Sequence, residues 1–311
     1  MITVIDLKSM KEIQPPQAAV LCLGNFDGIH LGHRKLIEAA LETKRTLSSQ
    51  SQGLQAGAWF FRTPPSEVLM GTPVPQITTL EEKLVKFAAL GLDLAYLADF
   101  SEMHELSPSA FVNDILKRQC NCVFAVCGFN YHFAHKGSGD ADALKELMDG
   151  SAHIVDCLSI DGETVSSSRI RTLLQNGDVA TAKELLGGGY SLSAPVLHGK
   201  KLGREMGVPT INQVFSHTAV IPKNGIYVTS TVIDGKQYPS VSNVGIRPSV
   251  ETAGHVNCET HIIGFDGDLY GKTVTVTFKA RLRDEQTFPS LSALTAQIKR
   301  DIEATKTYYG M

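Results

Sequence analysis

From the start of the chain to about residue 187, short apolar runs alternate with segments of helical period. The runs "AAVLCLG" (18–24), "AGAWFF" (56–61), "DLAYLADF" (93–100), "CVFAVCG" (122–128) and "AHIVDCL" (152–158) predict five strands. Continuous apolar runs of this length mark strands buried on both faces. The segments between them carry helix punctuation. Thr79 and Glu82 have capping-box spacing ahead of "KLVKFAAL", and Gly91 ends that segment. Ser107 followed by Pro108 opens "AFVNDILKR". Strands and helices in alternation predict a doubly covered parallel sheet of Rossmann type, with right-handed crossovers and ligands beyond the carboxyl ends of its strands.

After "LLGGGY" (185–190) the pattern turns to period two. Asp234–Gly235 lies between two alternating runs, a hairpin signal. "HVNCETHIIGFDGDLYGKTVTVTFKARL" predicts two further strands, and the amphipathic "LSALTAQIKRDIEATK" predicts one closing helix. Many short strands with one helix predict a small closed barrel. The glycine run 187–189 is the expected boundary, giving domains 1–186 and 187–311.

Composition narrows the function classes. Apolar residues make up 43% of the 311 and charged residues 20%, as in an ordinary globular protein. A formal net charge of −3 argues against a large nucleic-acid footprint. No apolar run approaches the roughly 18 residues of a membrane helix. The charged start, "MITVIDLKSMKE", does not read as a secretory signal, so a cytoplasmic location is expected. Oligomeric state is not legible. Cys120, Cys122 and Cys127 are close enough for zinc, but without a CxxC pair they read better as small buried apolar residues.

The candidate chemistry begins at "LCLGNFDGIHLGHRKLI" (21–37). Gly24, Asn25 and Asp27 stand in a turn between a strand and a helix, followed by His30 and His33. A helix N-terminus attracts phosphate. Two imidazoles three residues apart there can donate hydrogen bonds to a polyphosphate, acting by positioning and by stabilising charge. A metal site built on the pair, as in a hydrolase, and two ordinary surface histidines are the competing readings.

The stretch resembles the HxGH signature of the nucleotidyltransferase superfamily. "VSSSRIR" (165–171) is similar to a second signature of that superfamily; the resemblance implies that Ser167, Ser168 and Arg171 meet a triphosphate. "HGKKLGREMGVPTIN" (198–212), "SNVGIRPS" (242–249), "CETHIIGFDGDLYGK" (258–272) and "LRDEQTF" (282–288) resemble riboflavin kinases, in that order. The whole chain is thereby similar to the bacterial bifunctional riboflavin kinase/FAD synthetases. That resemblance implies ATP-dependent conversion of riboflavin to FMN and of FMN to FAD. It implies Glu259 as the kinase base, Thr210 and Asn212 as Mg²⁺ ligands, Gly203, Gly207 and Thr210 at ATP, and Asn130 and Arg283 at the flavin. Arg283 and Glu285 read equally well as loop anchors.

The chain departs from the family in its first half. "FRTPP" (61–65) replaces Phe-Asp-Pro-His-Pro, "YHFA" (131–134) replaces Phe-Arg-Phe-Gly, and Ser168 replaces Thr. A kinase whose N-terminal domain is a flavin- or nucleotide-binding regulatory module is therefore the alternative.

Overall fold

The computed structural model describes residues 2–9, 17–49, 53–199, 203, 206–246 and 256–311. Packing divides the chain into two compact units, Met1–Ser166 and Ser167–Met311.

The first unit is built on β1 (Thr3–Asp6), β2 (Ala19–Leu23), β3 (Gln55–Phe61), β4 (Leu94–Ala98), β5 (Cys122–Gly128) and β6 (Ala152–Val155). All pair in parallel, in the order β1-β4-β3-β2-β5-β6. The five expected strands are there. β1 is an addition: it is short, and Thr3 and Val4 are exposed, so it has no long apolar run. β2 shows why the central runs are unbroken. Leu21 and Leu23 enter one core layer, while Val20 and Cys22 enter the layer on the opposite face.

Helices α1 (Leu31–Ser48), α2 (Pro65–Met70), α3 (Leu80–Ala89), α4 (Phe100–Met103), α5 (Pro108–Ala110) and α6 (Ala141–Leu147) connect these strands. Thr79 and Glu82 form the expected reciprocal capping box on α3. Ser107 caps α5, which continues as a π-helix over Phe111–Gln119. From β2 the chain moves to β3 on one side, while β5 lies on the other. The crevice between the carboxyl ends of β2 and β5 is thus a topological switch point, where such sheets bind ligands. A small hairpin, β7 (Ser159–Ile160) with β8 (Glu163–Thr164), ends the unit.

The second unit opens with α7 (Ser167–Asn176) and α8 (Val179–Leu186). Its strands are β9 (Ser191–Pro195), β10 (Ile211–Phe215), β11 (Gly225–Ile233), β12 (Lys236–Ile246), β13 (Val256–Ile262) and β14 (Thr273–Arg283), ordered β10-β13-β12-β11-β14-β9 and antiparallel throughout. Asp234 and Gly235, both at positive φ, turn the β11–β12 hairpin. The barrel is nearly closed. Leu197 N donates to Asn212 O at 2.8 Å, and the buried Gln213 amide donates to Ala194 O and Val274 O, each at 2.7 Å. One side chain thereby bridges the seam that backbone pairing leaves open.

The closing helix, α9 (Leu291–Tyr308), is capped by Ser290. Ile302 packs beside Ile226, Val241 and Ile263. The glycine run 187–189 lies inside the second unit: α8 packs on β14, and Lys223 N donates to Leu174 O at 3.0 Å. The change of composition and the change of packing are therefore separate places in the chain.

Candidate functional site

The turn after β2 is tightly built. Phe26 and Ile29 take positive φ (52° and 46°), a strained choice for either residue. Both side chains are buried, Phe26 edge-on against Phe87, so packing holds the backbone there. His30 is the N-cap of α1: its Nδ1 accepts from His33 N at 3.2 Å. An accepting Nδ1 leaves the ring proton on Nε2. The ring folds back over Gly32, where a Cβ would stand only 3.1 Å from it. The His30 and His33 rings stack at 3.6 Å and 16°. Burial pushes His30 down to about 4. Burial first, then His30 and Lys83, hold His33 well below the usual histidine range. Both rings are neutral at neutral pH.

Asp27 turns into the loop. Its Oδ1 accepts from Ile77 N at 2.9 Å and Thr78 N at 3.1 Å, pinning the segment that leads into α3. Gly24 N donates to Trp59 O at 3.3 Å, joining the turn to β3. Asn130 is exposed just past the end of β5, beside the switch point. Ser167 and Ser168 stand in the first turn of α7, with Arg171 one turn on. In "FRTPP", Arg62 pairs with Asp6 at 2.6 Å and Asp99 at 3.4 Å, at the ends of β1 and β4. In "YHFA", Ala134 sits at φ 66° and ψ −171°, a region that belongs almost wholly to glycine.

A second polar cluster lies on the barrel. Glu259 on β13 stands directly across from Asn212 on β10. Thr210 immediately precedes β10. Gly203 approaches so closely that a Cβ would meet Val208 O at 2.5 Å and Thr210 Oγ1 at 3.3 Å. Val208 N closes that loop on Gly203 O at 2.8 Å, with Gly207 at φ 72°. His261, two residues beyond Glu259, ties the loop to β13 by donating from Nδ1 to Pro209 O at 2.8 Å. The barrel thus brings together Glu259, Asn212, Thr210 and Gly203.

Arg283, expected at the flavin, is turned to α9. Its Nε and a terminal nitrogen grip Asp301 at 3.0 and 2.6 Å, and its other terminal nitrogen donates to Asp284 O. That geometry makes it an anchor between β14 and α9. Positions 200–202, 204–205 and 247–249 of the kinase-like stretches lie outside the described residues.

Two family models match in tandem: FAD synthetase over residues 12–169 and riboflavin kinase over 186–309. A bifunctional riboflavin kinase/FMN adenylyltransferase of Bacillus subtilis is 33% identical, covering 94% of this chain and 92% of that protein. A protein of the same name from Escherichia coli K12 is 32% identical, covering 96% and 95%.

The chain belongs to the bifunctional riboflavin kinase/FMN adenylyltransferase family.

A Streptococcus pneumoniae crystal structure described as a macrolide-efflux protein also matches, at TM-score 0.89 and 32% identity over 98% of this chain and 99% of that one. Among the described residues of this family member, no helix is long and apolar enough to cross a membrane. Nor do three or more His, Cys, Asp or Glu residues gather as a metal group there. Cys120, Cys122 and Cys127 are buried, and burial raises all three thiols, Cys122 and Cys127 to about 12.

Reading the sequence missed Lys83. It is buried on α3, with Nζ 2.9 Å from Asn25 O and 5.1 Å from the centre of the Phe60 ring. Burial lowers it to about 8, although Asp27 opposes the shift. The available signal was a lysine four residues before Phe87, on the buried stripe of an amphipathic helix.

Proposed function

We propose that this chain uses ATP twice, first to phosphorylate riboflavin to FMN and then to adenylylate FMN to FAD. The observation that carries the reading is that each matched segment has its own reactive cluster: the stacked histidines in one, Glu259 across from Asn212 in the other. The tandem matches and the bifunctional relatives favour two activities over a kinase carrying an inert N-terminal domain. We assign adenylylation to residues 1–186 and phosphorylation to 187–311; the kinase match beginning at 186 supports that division. We assign the protein to the cytoplasm, where ATP is supplied.

In the kinase reaction the terminal ribityl hydroxyl of riboflavin attacks the γ-phosphorus of ATP. The bond from that phosphorus to the β,γ-bridging oxygen breaks, ADP leaves, and Glu259 accepts the hydroxyl proton. Gly203 and Gly207 shape the loop that approaches the nucleotide. Thr210 and Asn212 offer neutral, hard oxygen donors one strand from Glu259, a set that suits Mg²⁺ completed by phosphate oxygens. When bound, the ion neutralises charge on the polyphosphate. His261 keeps Thr210 near the base through Pro209.

In the adenylyl transfer an FMN phosphate oxygen attacks the α-phosphorus of ATP, and pyrophosphate leaves. No side chain forms a covalent bond. His30 Nε2–H and His33 donate to the polyphosphate, and its charge restores the basicity that burial removes. Gly24 and Asn25 carry the backbone approach, and Asp27 holds that loop in shape. Asn130, beside the switch point, is assigned to the flavin. For Ser167, Ser168 and Arg171 the support is the sequence motif.

The test is Glu259→Gln. A positioned base is worth about 10²–10⁴-fold. FMN formation should fall by that factor, while FAD formation from supplied FMN should not change. Near-normal FMN formation would remove Glu259 from the role.

A further inference from the structure

The rung that pairs Asn212 with Glu259 continues onto β12. Asn243 stands directly across from Glu259 on the other side. Residues opposite one another in neighbouring strands share a face, about 4.5–5.5 Å apart at Cβ. Asn212, Glu259 and Asn243 therefore form one polar row across three strands, with the carboxylate in the middle. On its far side Asn243 faces Ile226, part of the apolar patch that Val241 and Ile263 share.

The amide oxygen of Asn243 is buried and has no hydrogen-bond partner among the described residues. A buried acceptor left unmatched is costly, so it calls for a donor from outside the fold. The available ligands narrow the choice. A nucleotide polyphosphate is an array of acceptors and would be repelled by a carbonyl oxygen. A polyol chain bears hydroxyl donors. One of its hydroxyls must already lie at Glu259 if that residue is the base, and the next lie within a rung's distance.

We propose that Asn243 is a substrate-contacting residue of the kinase reaction, its amide oxygen accepting a hydrogen bond from a ribityl hydroxyl next to the one that reacts. This assignment rests on the reading of Glu259 as base and extends it to recognition of the sugar-alcohol chain. It gives the row a division of roles: Asn212 on the nucleotide side, Glu259 at the reacting oxygen, Asn243 on the polyol side. It also explains why an amide is kept beside an apolar patch where a leucine would pack.

The experiment uses the full chain and measures FMN formation with Asn243→Ala. Lumiflavin, which has the flavin ring without the polyol chain, serves as a competitive inhibitor. Removing the acceptor should lower kcat/KM for riboflavin by about 5- to 100-fold. The inhibition constant for lumiflavin should stay within about twofold, because that molecule has no hydroxyl to lose. Equal weakening of both, or of neither, overturns the proposal. Asn243→Ser, which keeps a small acceptor, should recover part of the loss; a merely structural asparagine would give the same loss in both variants. The thermal melting transition of the fragment beginning at Ser167, followed by circular dichroism, reports that the barrel of each variant is folded. Glu259→Gln is run in parallel. Undiminished FMN formation there defeats the base assignment itself, whatever Asn243→Ala shows.

Discussion

The imidazoles of His30 and His33 stack 3.6 Å apart at the start of α1, and the first accepts the backbone N–H of the second. The hydrogen bond fixes one tautomer, and the stack fixes the ring planes. Together they aim an Nε2–H donor from a buried helix N-terminus. Replacing either histidine by Ala should remove FAD formation by at least about 10²-fold, the usual cost of losing such a donor. FMN formation should be unaffected. Chromatographic separation of the flavin products reads both.

The same burial has a pH signature. His30 titrates near 6.5 when unfolded and near 4 in the native protein, so the unfolded chain binds the extra proton between those values. Stability from this group is fully present above about pH 6.5 and is lost as pH falls toward 4, by on the order of 3 kcal/mol. Urea unfolding followed from pH 7 to 4.5 should show that decline. His30→Asn, whose Oδ1 takes the capping position of Nδ1, should flatten it.

Lys83 supports the loop from below. Its ammonium holds Asn25 O, and Asp27 pins the neighbouring segment, so the backbone that leads to His30 is clamped on two sides. Lys83→Met keeps the volume and removes the donor. FAD formation should fall about 10- to 100-fold through misplacement of the loop, with FMN formation unchanged. A melting temperature lowered enough to unfold the N-terminal unit under assay conditions would indicate destabilisation instead.

Ala134 occupies a conformation that belongs almost wholly to glycine. Its φ of 66° with ψ of −171° should cost on the order of 1–3 kcal/mol. Ala134→Gly should therefore raise the melting temperature of the N-terminal unit by several degrees. A lowered one would mean that the backbone there is not strained.

The chain's division can be tested by truncation. Val179, Ala182, Leu185 and Leu186 of α8 are buried in the second unit, as are Ile170 and Leu174 of α7. A fragment beginning at Ser167 should fold and form FMN. One beginning at Gly187 should be markedly less stable, since it loses those side chains. Chemical denaturation of the two fragments decides this.

What could be read in advance follows from periodicity. β2 to β5 announce themselves because both faces of each are buried, and the β11–β12 hairpin because Asp-Gly has few other uses. β1 was invisible because it is four residues long and half exposed. The seam closure by Gln213 was invisible too, since a buried glutamine looks like a surface one in sequence. His30 and His33, three residues apart in sequence, stay neighbours in the fold because a local spacing survives folding. Lys83 and Asn243 could not be read that way, because each depends on what faces it across the fold. The glycine run marked a change in composition, but α7 and α8 pack with the barrel that follows. Arg283 read equally well as a flavin contact or a loop anchor, and only the fold shows that its guanidinium grips Asp301 on α9.

The most direct measurement of the central claim is FAD made from supplied FMN and ATP, with Mg²⁺, by the unmodified chain. It bears on the half where the sequence departs from its family and where Arg62 is held by Asp6 and Asp99. FAD should accumulate, with pyrophosphate released in equal amount. FMN recovered unchanged after long incubation, from protein that still converts riboflavin to FMN, would contradict it.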